Sequence, residues 1–254
     1  MVLRKANPAL LGAVLCGLVV APAYATVTFK TSGTSSVGTP VSFEADLTIS
    51  GNTLSVVLSN TSPVSLLAPN DALSSFYFDI LGIGNTRPAL TYASAFGDVY
   101  LGSRQNPDTL QAANANLKAV QAGDCKWEFK TMKATQTPLL GFGIGTVGNN
   151  NFTPNNFDGN IVGGFDYSII KGDVTTQNLD GTLWVRDTAT FSFTGVSGFT
   201  EANIANRVGF GLGTAPDKLM VSVVPEPGTA LLLAVGGLAL WLRKPAWPGG
   251  VLRS

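Results

Sequence analysis

Val41-Ser42-Phe43-Glu44-Ala45-Asp46-Leu47-Thr48-Ile49 alternates apolar and polar residues. Ser50-Gly51-Asn52 follows, and Leu54-Ser55-Val56-Val57-Leu58 resumes the apolar run. A period of two is the pattern of a strand with one face in a core and one in solvent. A glycine and an asparagine between two such runs is hairpin chemistry. On this pattern Glu44, between Phe43 and Ala45, belongs to the solvated face.

Working outward, further strand-like runs occur at Thr26–Lys30, Phe76–Leu81, Val99–Leu101, Trp127–Phe129, Leu139–Ile144, Phe165–Ile170, Leu183–Val185, Thr190–Phe193, Val208–Leu212 and Leu219–Val224. Asp158-Gly159 and Asp180-Gly181 are natural corners between them. Only Thr109–Val120, with its Ala, Gln, Leu and Lys, has helical character, interrupted by Asn114 and Asn116. Gly141–Pro154, rich in Gly and Asn, reads as a long exposed loop, and Gly213–Pro216 as a hinge before the last strand. Short strands, frequent turns and no α/β alternation give the expected fold class. It is mainly β, an antiparallel β-sandwich or jelly-roll-like ectodomain.

The chain's two ends set the limits of that ectodomain. Arg4 and Lys5 precede the apolar stretch Ala9–Ala21, and Ala23-Tyr24-Ala25 is an A-x-A cleavage site. Residues 1–25 therefore read as a secretory signal peptide, with a mature chain beginning at Thr26. At the other end Gly228–Leu242 is uncharged, with Pro225-Glu226-Pro227 before it and Arg243-Lys244 after it. Fifteen residues make a helix of roughly 22 Å, short for a hydrocarbon core of about 30 Å. The basic pair can snorkel to the headgroups and stays cytoplasmic. Pro225 and Pro227 bar helical extension outward. Gly236-Gly237 weakens the helix in water and permits close packing in lipid.

The order of tripeptide, apolar helix and basic stop at 225–254 resembles the PEP-CTERM sorting signal of bacterial surface proteins. The resemblance implies export, a precursor tethered in the inner membrane, processing by exosortase with recognition centred on Pro225, Glu226 and Pro227, and release to the cell surface or an exopolysaccharide matrix. It implies nothing about a ligand.

Residues 26–224 hold eleven basic and fifteen acidic residues, a net charge of −4 without a basic block, so nucleic acid is not an expected partner. Charged residues are 13% of the chain, against about 25% in ordinary globular proteins. The surface must be built from Ser, Thr, Asn, Gln and Gly. The chain has no histidine and two cysteines. Cys16 leaves with the signal peptide, and Cys125 alone can form no intrachain disulfide. Triads that need histidine, His-based metal sites and CxxC redox chemistry are excluded. No metal or cofactor is expected. Gly143-Ile144-Gly145-Thr146-Val147-Gly148 matches GxGxxG, but Asn149-Asn150-Asn151 follows where a dinucleotide site needs a helix. The oxygen-rich stretch Asn149–Asn160 fails the EF-hand template and leaves only an irregular calcium site open. Trp127 and Phe129, two apart on one strand, are either core or a platform on which sugars stack, with Lys126, Glu128 and Lys130 on the other face. Tyr92, Tyr100 and Trp184 carry the same ambiguity.

The expectation is a non-enzymatic structural or matrix-associated surface protein. A carbohydrate-binding adhesin is the alternative, and a hydrolase using a carboxylate pair is the third reading.

Overall fold

The computed structural model describes residues 25–65, 67–120, 124, 126–131, 140–146, 166–175, 179–213 and 219–223. The described residues are mainly β. The expected hairpin is β1's neighbour: β1 (Thr26–Thr34) pairs antiparallel with β2 (Pro40–Ser50), which pairs with β3 (Thr53–Asn60). Burial alternates along β2 as the sequence pattern requires, with Phe43, Ala45 and Leu47 fully buried and Glu44 and Asp46 half-exposed. Gly51 turns the hairpin at φ 60°, a conformation that glycine adopts without steric cost. Asn52 Oδ1 then accepts from Gly195 N at 3.0 Å and Ser197 N at 3.1 Å, clasping a neighbouring turn.

The remaining strands are β4 (Leu73–Phe78), β5 (Thr91–Leu101), β6 (Thr109–Asn116), β7 (Glu128–Thr131), β8 (Phe142–Gly145), β9 (Ile169–Ile170), β10 (Leu183–Thr194), β11 (Arg207–Leu212) and β12 (Leu219–Val223). They order as β1-β2-β3-β10-β5-β6 on one side and β12-β11-β4-β8-β7 on the other. Between them β9 pairs parallel with β10 and antiparallel with β4, so one sheet bends round this short strut. The parallel pair departs from the all-antiparallel expectation. Two seams bring the flanks together without a ladder. Ser222 Oγ donates to Lys30 O at 2.6 Å between β12 and β1. A single parallel bridge, Lys118 to Trp127, joins the chain after β6 to the start of β7. Among the described residues the sheet does not close.

An aromatic chain fills the space between the two sides. Phe43 stacks on Phe210 at 6.0 Å, Phe210 lies 5.2 Å from Phe76, and Phe78 lies 6.0 Å from Phe193. Phe193 in turn contacts Phe129 at 5.0 Å and Tyr92 at 5.2 Å. Each buried ring contributes about 1.5–3 kcal/mol through the area it removes from water, and edge or offset pairing adds to this.

Three expectations are corrected. Thr109–Val120 is not helical: Thr109–Asn116 is strand β6, against β5. An exposed stretch of Gln, Ala and Asn has no apolar face with which to hold a helix, whereas β5 offers it a backbone ladder. Asn114 sits at φ 48° and donates its N–H to Asp98 Oδ1 at 2.8 Å, which breaks a helix and bulges the strand. Second, the expected strand Leu139–Ile144 and the expected loop Gly141–Pro154 overlap, and in the overlap the strand prevails: Phe142–Gly145 is buried between β4 and β7. Gly143 and Gly209 lie opposite Tyr77 on either side, leaving room in the sheet for that ring. Third, Leu183–Val185 and Thr190–Phe193 are one strand, not two. β10 runs through a bulge between Val185 and Ala189, with Asp187 at φ 61°. At the bulge its partner on one side changes from β9 to β3.

Candidate functional site

Of the residues the sequence singles out at the chain ends, Ala25 alone is described. It is exposed, directly ahead of β1. Ala23, Pro225, Glu226, Pro227, Arg243 and Lys244 lie outside the described residues, as do the span Gly228–Leu242, Cys125 and the Asn-rich stretch Asn149–Asn160. Among the described residues no helix is long and apolar enough to cross a membrane.

The aromatic candidates resolve toward the core. Trp127 is fully buried, donates its indole N–H to Tyr167 O at 2.8 Å, and meets Phe191 edge-on at 4.8 Å. Phe129 packs against Tyr92 and Phe142. Trp184 is fully buried in a second cluster with Ile170, Val174 and Leu179. Burial holds the Tyr92 phenol well above its usual range. The ring of Tyr100 lies beneath the Arg186 guanidinium at 3.7 Å. A Trp127/Phe129 sugar platform is therefore not formed. Gly143 and Gly145 belong to a strand paired on both sides, not to a phosphate-binding turn.

Among the described residues, acidic side chains converge at the β10 bulge. Arg186 bonds Asp173 and lies 3.5 Å from Asp108. Asp108 is buried and also accepts from Ser103 N at 2.9 Å and from Val174 N at 3.1 Å. Beside them Lys171 pairs with Asp187 at 2.9 Å. Every carboxylate here holds a backbone amide or a cation, so the cluster fastens the β9–β10–β5 corner. A glycosidase pair needs one carboxylic acid and one carboxylate facing a common substrate, and Arg186 occupies that space. The three ectodomain glutamates are likewise engaged: Glu44 with Lys30 at 2.9 Å, Glu128 with Lys130 at 3.4 Å, and Glu201 with Ile49 N at 3.3 Å. Among the described residues no three His, Cys, Asp or Glu side chains group to hold a metal.

A small cavity of about 10 Å³ touches Asn60, Ser62, Ser65, Asp71 and Lys171, room for about one water. The larger concavity, about 400 Å³, is an open groove on the β1–β2 face beside Lys30, Ser42, Glu44 and Thr61. That outer face is a regular polar surface. Register sets Thr26, Thr48, Ser55, Ser192 and Ser94 in one row across five strands, and Thr28, Asp46, Val57, Thr190 and Phe96 in the next. Cross-strand bonds run along the rows, Thr26 to Thr48 at 2.9 Å and Thr28 to Asp46 at 2.6 Å, with Ser59 to Thr188 at 3.1 Å in a further row. Phe96, 38% exposed, is the aromatic ring on it. Sequence reasoning missed this residue because it fell outside the short run read as Val99–Leu101. Had the alternation Ala95-Phe96-Gly97 been read as strand, Phe96 would have faced outward.

No protein-family model matches the chain, and no curated protein matches it. Among solved structures, the KRT10-binding region domain of the pneumococcal serine rich repeat protein PsrP aligns with 80% of this chain and 99% of its own, at 10% identity and a TM-score of 0.31. A score that low does not establish a shared fold.

Proposed function

We propose that the chain is an exported structural protein of a bacterial cell surface or extracellular matrix, without catalysis of its own, sorted through a C-terminal signal of PEP-CTERM type. The observation that carries the reading is the tail, Pro225-Glu226-Pro227 followed by the uncharged Gly228–Leu242 and by Arg243-Lys244. The signal peptide ends at Ala25, the precursor sits in the inner membrane by its short helix, and exosortase acts at the tripeptide. There the proline backbone stays extended and open to an enzyme. The bent sheet, read as a β-sandwich, supplies a shell held by burial. Its Ser- and Thr-rich outer face suits a protein that works in a hydrated matrix.

Mass spectrometry of surface-extracted protein tests this. A chain beginning at Thr26 and lacking Gly228–Ser254 is expected, and Glu226→Ala should leave unprocessed precursor in the inner membrane. Recovery of an intact C-terminus from a host with active exosortase would leave only a plain anchor.

The second reading, a carbohydrate-binding adhesin, is favoured by one observation, the exposed Phe96 ring among hydroxyls. A glycan array that retains a sugar, and loses it on Phe96→Ala, would select it.

A further inference from the structure

Both ends of the described chain leave the sheet at the same end. Thr26 opens β1 opposite Thr48, next to Ile49, whose N–H donates to Glu201. Val223 closes β12 opposite Arg207. The loop that follows β4 reaches past this same end, since Ile80 bridges Ile204 and Leu81 N donates to Asn203 O at 2.7 Å. At its tip stands Ile83, 97% exposed. Among the described residues the other isoleucines, Ile49, Ile80, Ile144, Ile169, Ile170 and Ile204, are all in the core.

The loop is built to hold that side chain outward. Gly82 N donates to Thr86 O at 2.8 Å, Asn85 N donates to Gly82 O at 3.1 Å, and Thr86 Oγ1 donates to Ile83 O at 3.1 Å. Gly84 at φ 70° and Asn85 at φ 59° make the tight turn beneath it. Side chains on Gly82 are excluded by Thr86 and Phe199, so the loop's base is packed.

The chain outside the described strands says what this end faces. Between Val223 and the uncharged stretch beginning at Gly228 stand Val224, Pro225, Glu226 and Pro227. Even fully extended, four residues span at most about 14 Å. A domain on so short a leash must turn the end bearing Val223 toward the bilayer, and the Ile83 loop goes with it. We propose that Ile83 is a membrane contact: in the tethered precursor it rests in the interfacial layer of the lipid surface and holds the domain end-on. This rests on the reading of Gly228–Leu242 as a membrane span. One apolar side chain is enough for such a contact, because the leash makes it intramolecular and keeps its effective concentration high.

The test uses the precursor from Thr26 to Ser254, without the signal peptide, reconstituted in vesicles of phosphatidylethanolamine and phosphatidylglycerol, with Cys125→Ser. A fluorophore sensitive to polarity is attached at Ile83→Cys, or at Val37→Cys in the β1–β2 turn at the opposite end, which is 54% exposed. Flotation first reports whether the chain is anchored. Blue-shifted emission at position 83, quenched by lipid carrying a shallow spin label and absent at position 37, is the expected result. An unlabelled Ile83→Asn chain should float as well as the parent, yet lose the slow hydrogen exchange that vesicles confer on the loop. Chains that float with both positions unquenched, or with both quenched alike, overturn the membrane contact and leave the anchor standing. Chains that fail to float overturn both. Quenching at 83 that appears only after a second protein is added would assign the loop to that protein and refute the lipid contact.

Discussion

Tyr92 packs its ring against Phe193 and Phe129, yet its buried hydroxyl has no hydrogen-bond partner among the described residues. An unmatched buried hydroxyl costs about 1–3 kcal/mol. Tyr92→Phe, which keeps the ring, should therefore hold or raise stability at neutral pH by up to about 1 kcal/mol, measured by thermal melting. The ionisation sign follows from the raised phenol. Above about pH 10 the unfolded tyrosine loses its proton while the folded one keeps it, so stability falls with rising pH. That alkaline loss should shrink in Tyr92→Phe. At Gly141 the constraint is space. A Cβ there would lie on Arg87 Nε and 2.6 Å from Asp79 Oδ1, the two partners of a bidentate pair closed at 2.7 and 2.6 Å. Gly141→Ala should lose about 1–3 kcal/mol, as overpacking does, seen as a lower urea midpoint. A neutral result would mean that the pair can move aside.

Among elements, β10 is the one on which the sheet turns. Its bulge places Asp187 in the left-handed region, at φ 61°, where a side chain costs roughly 1–2 kcal/mol. The ion pair to Lys171 returns little, both side chains being close to half exposed. Asp187→Gly should therefore match or exceed the parent in thermal stability. Asp187→Val, whose branched side chain suits that conformation worst, should fall below it. Equal melting of the two variants would show that the bulge is not strained. β6 illustrates a different balance. Its residues other than Ala115 are exposed, and it carries neither charge nor proline to protect its edge. The irregular register against β5, with Asn114 bulged, gives the strand the twist that discourages further pairing.

At the scale of the whole molecule, hairpin neighbours are joined by pairs of strands far apart in sequence: β3 meets β10 and β4 meets β11. Such topology folds slowly, in milliseconds to seconds, and places the weight of stability on the shared aromatic core. The β1–β12 seam has no described ladder and is held in part by Ser222 Oγ on Lys30 O. Ser222→Ala should cost about 0.5–1.5 kcal/mol and speed hydrogen exchange in β1 before it does so in β4. Uniform acceleration across both strands would mean that the seam does not open by itself.

By itself the sequence determined the β class, the β2–β3 hairpin and the outward stance of Glu44. Period-two alternation is a local signal, read directly from Val41 to Leu58. It also excluded histidine-dependent chemistry, since composition alone decides that. Tertiary structure decided what local signals leave open. Thr109–Asn116 is strand because β5 offers it hydrogen bonds, although its alanines favour a helix. The run Leu139–Ile144 signals a strand locally, but pairing with β4 and β7 decides that Phe142–Gly145 is buried on both edges, with Gly143 and Gly209 on either side of Tyr77. Trp127 and Phe129 are core because strands distant in sequence bring Phe191 and Phe193 against them. The position of Ile83 beside both chain ends depends on the bridge of Ile80 to Ile204 and on the meeting of β12 with β1 at Ser222 and Lys30. Those pairings join residues whose proximity no window of sequence contains.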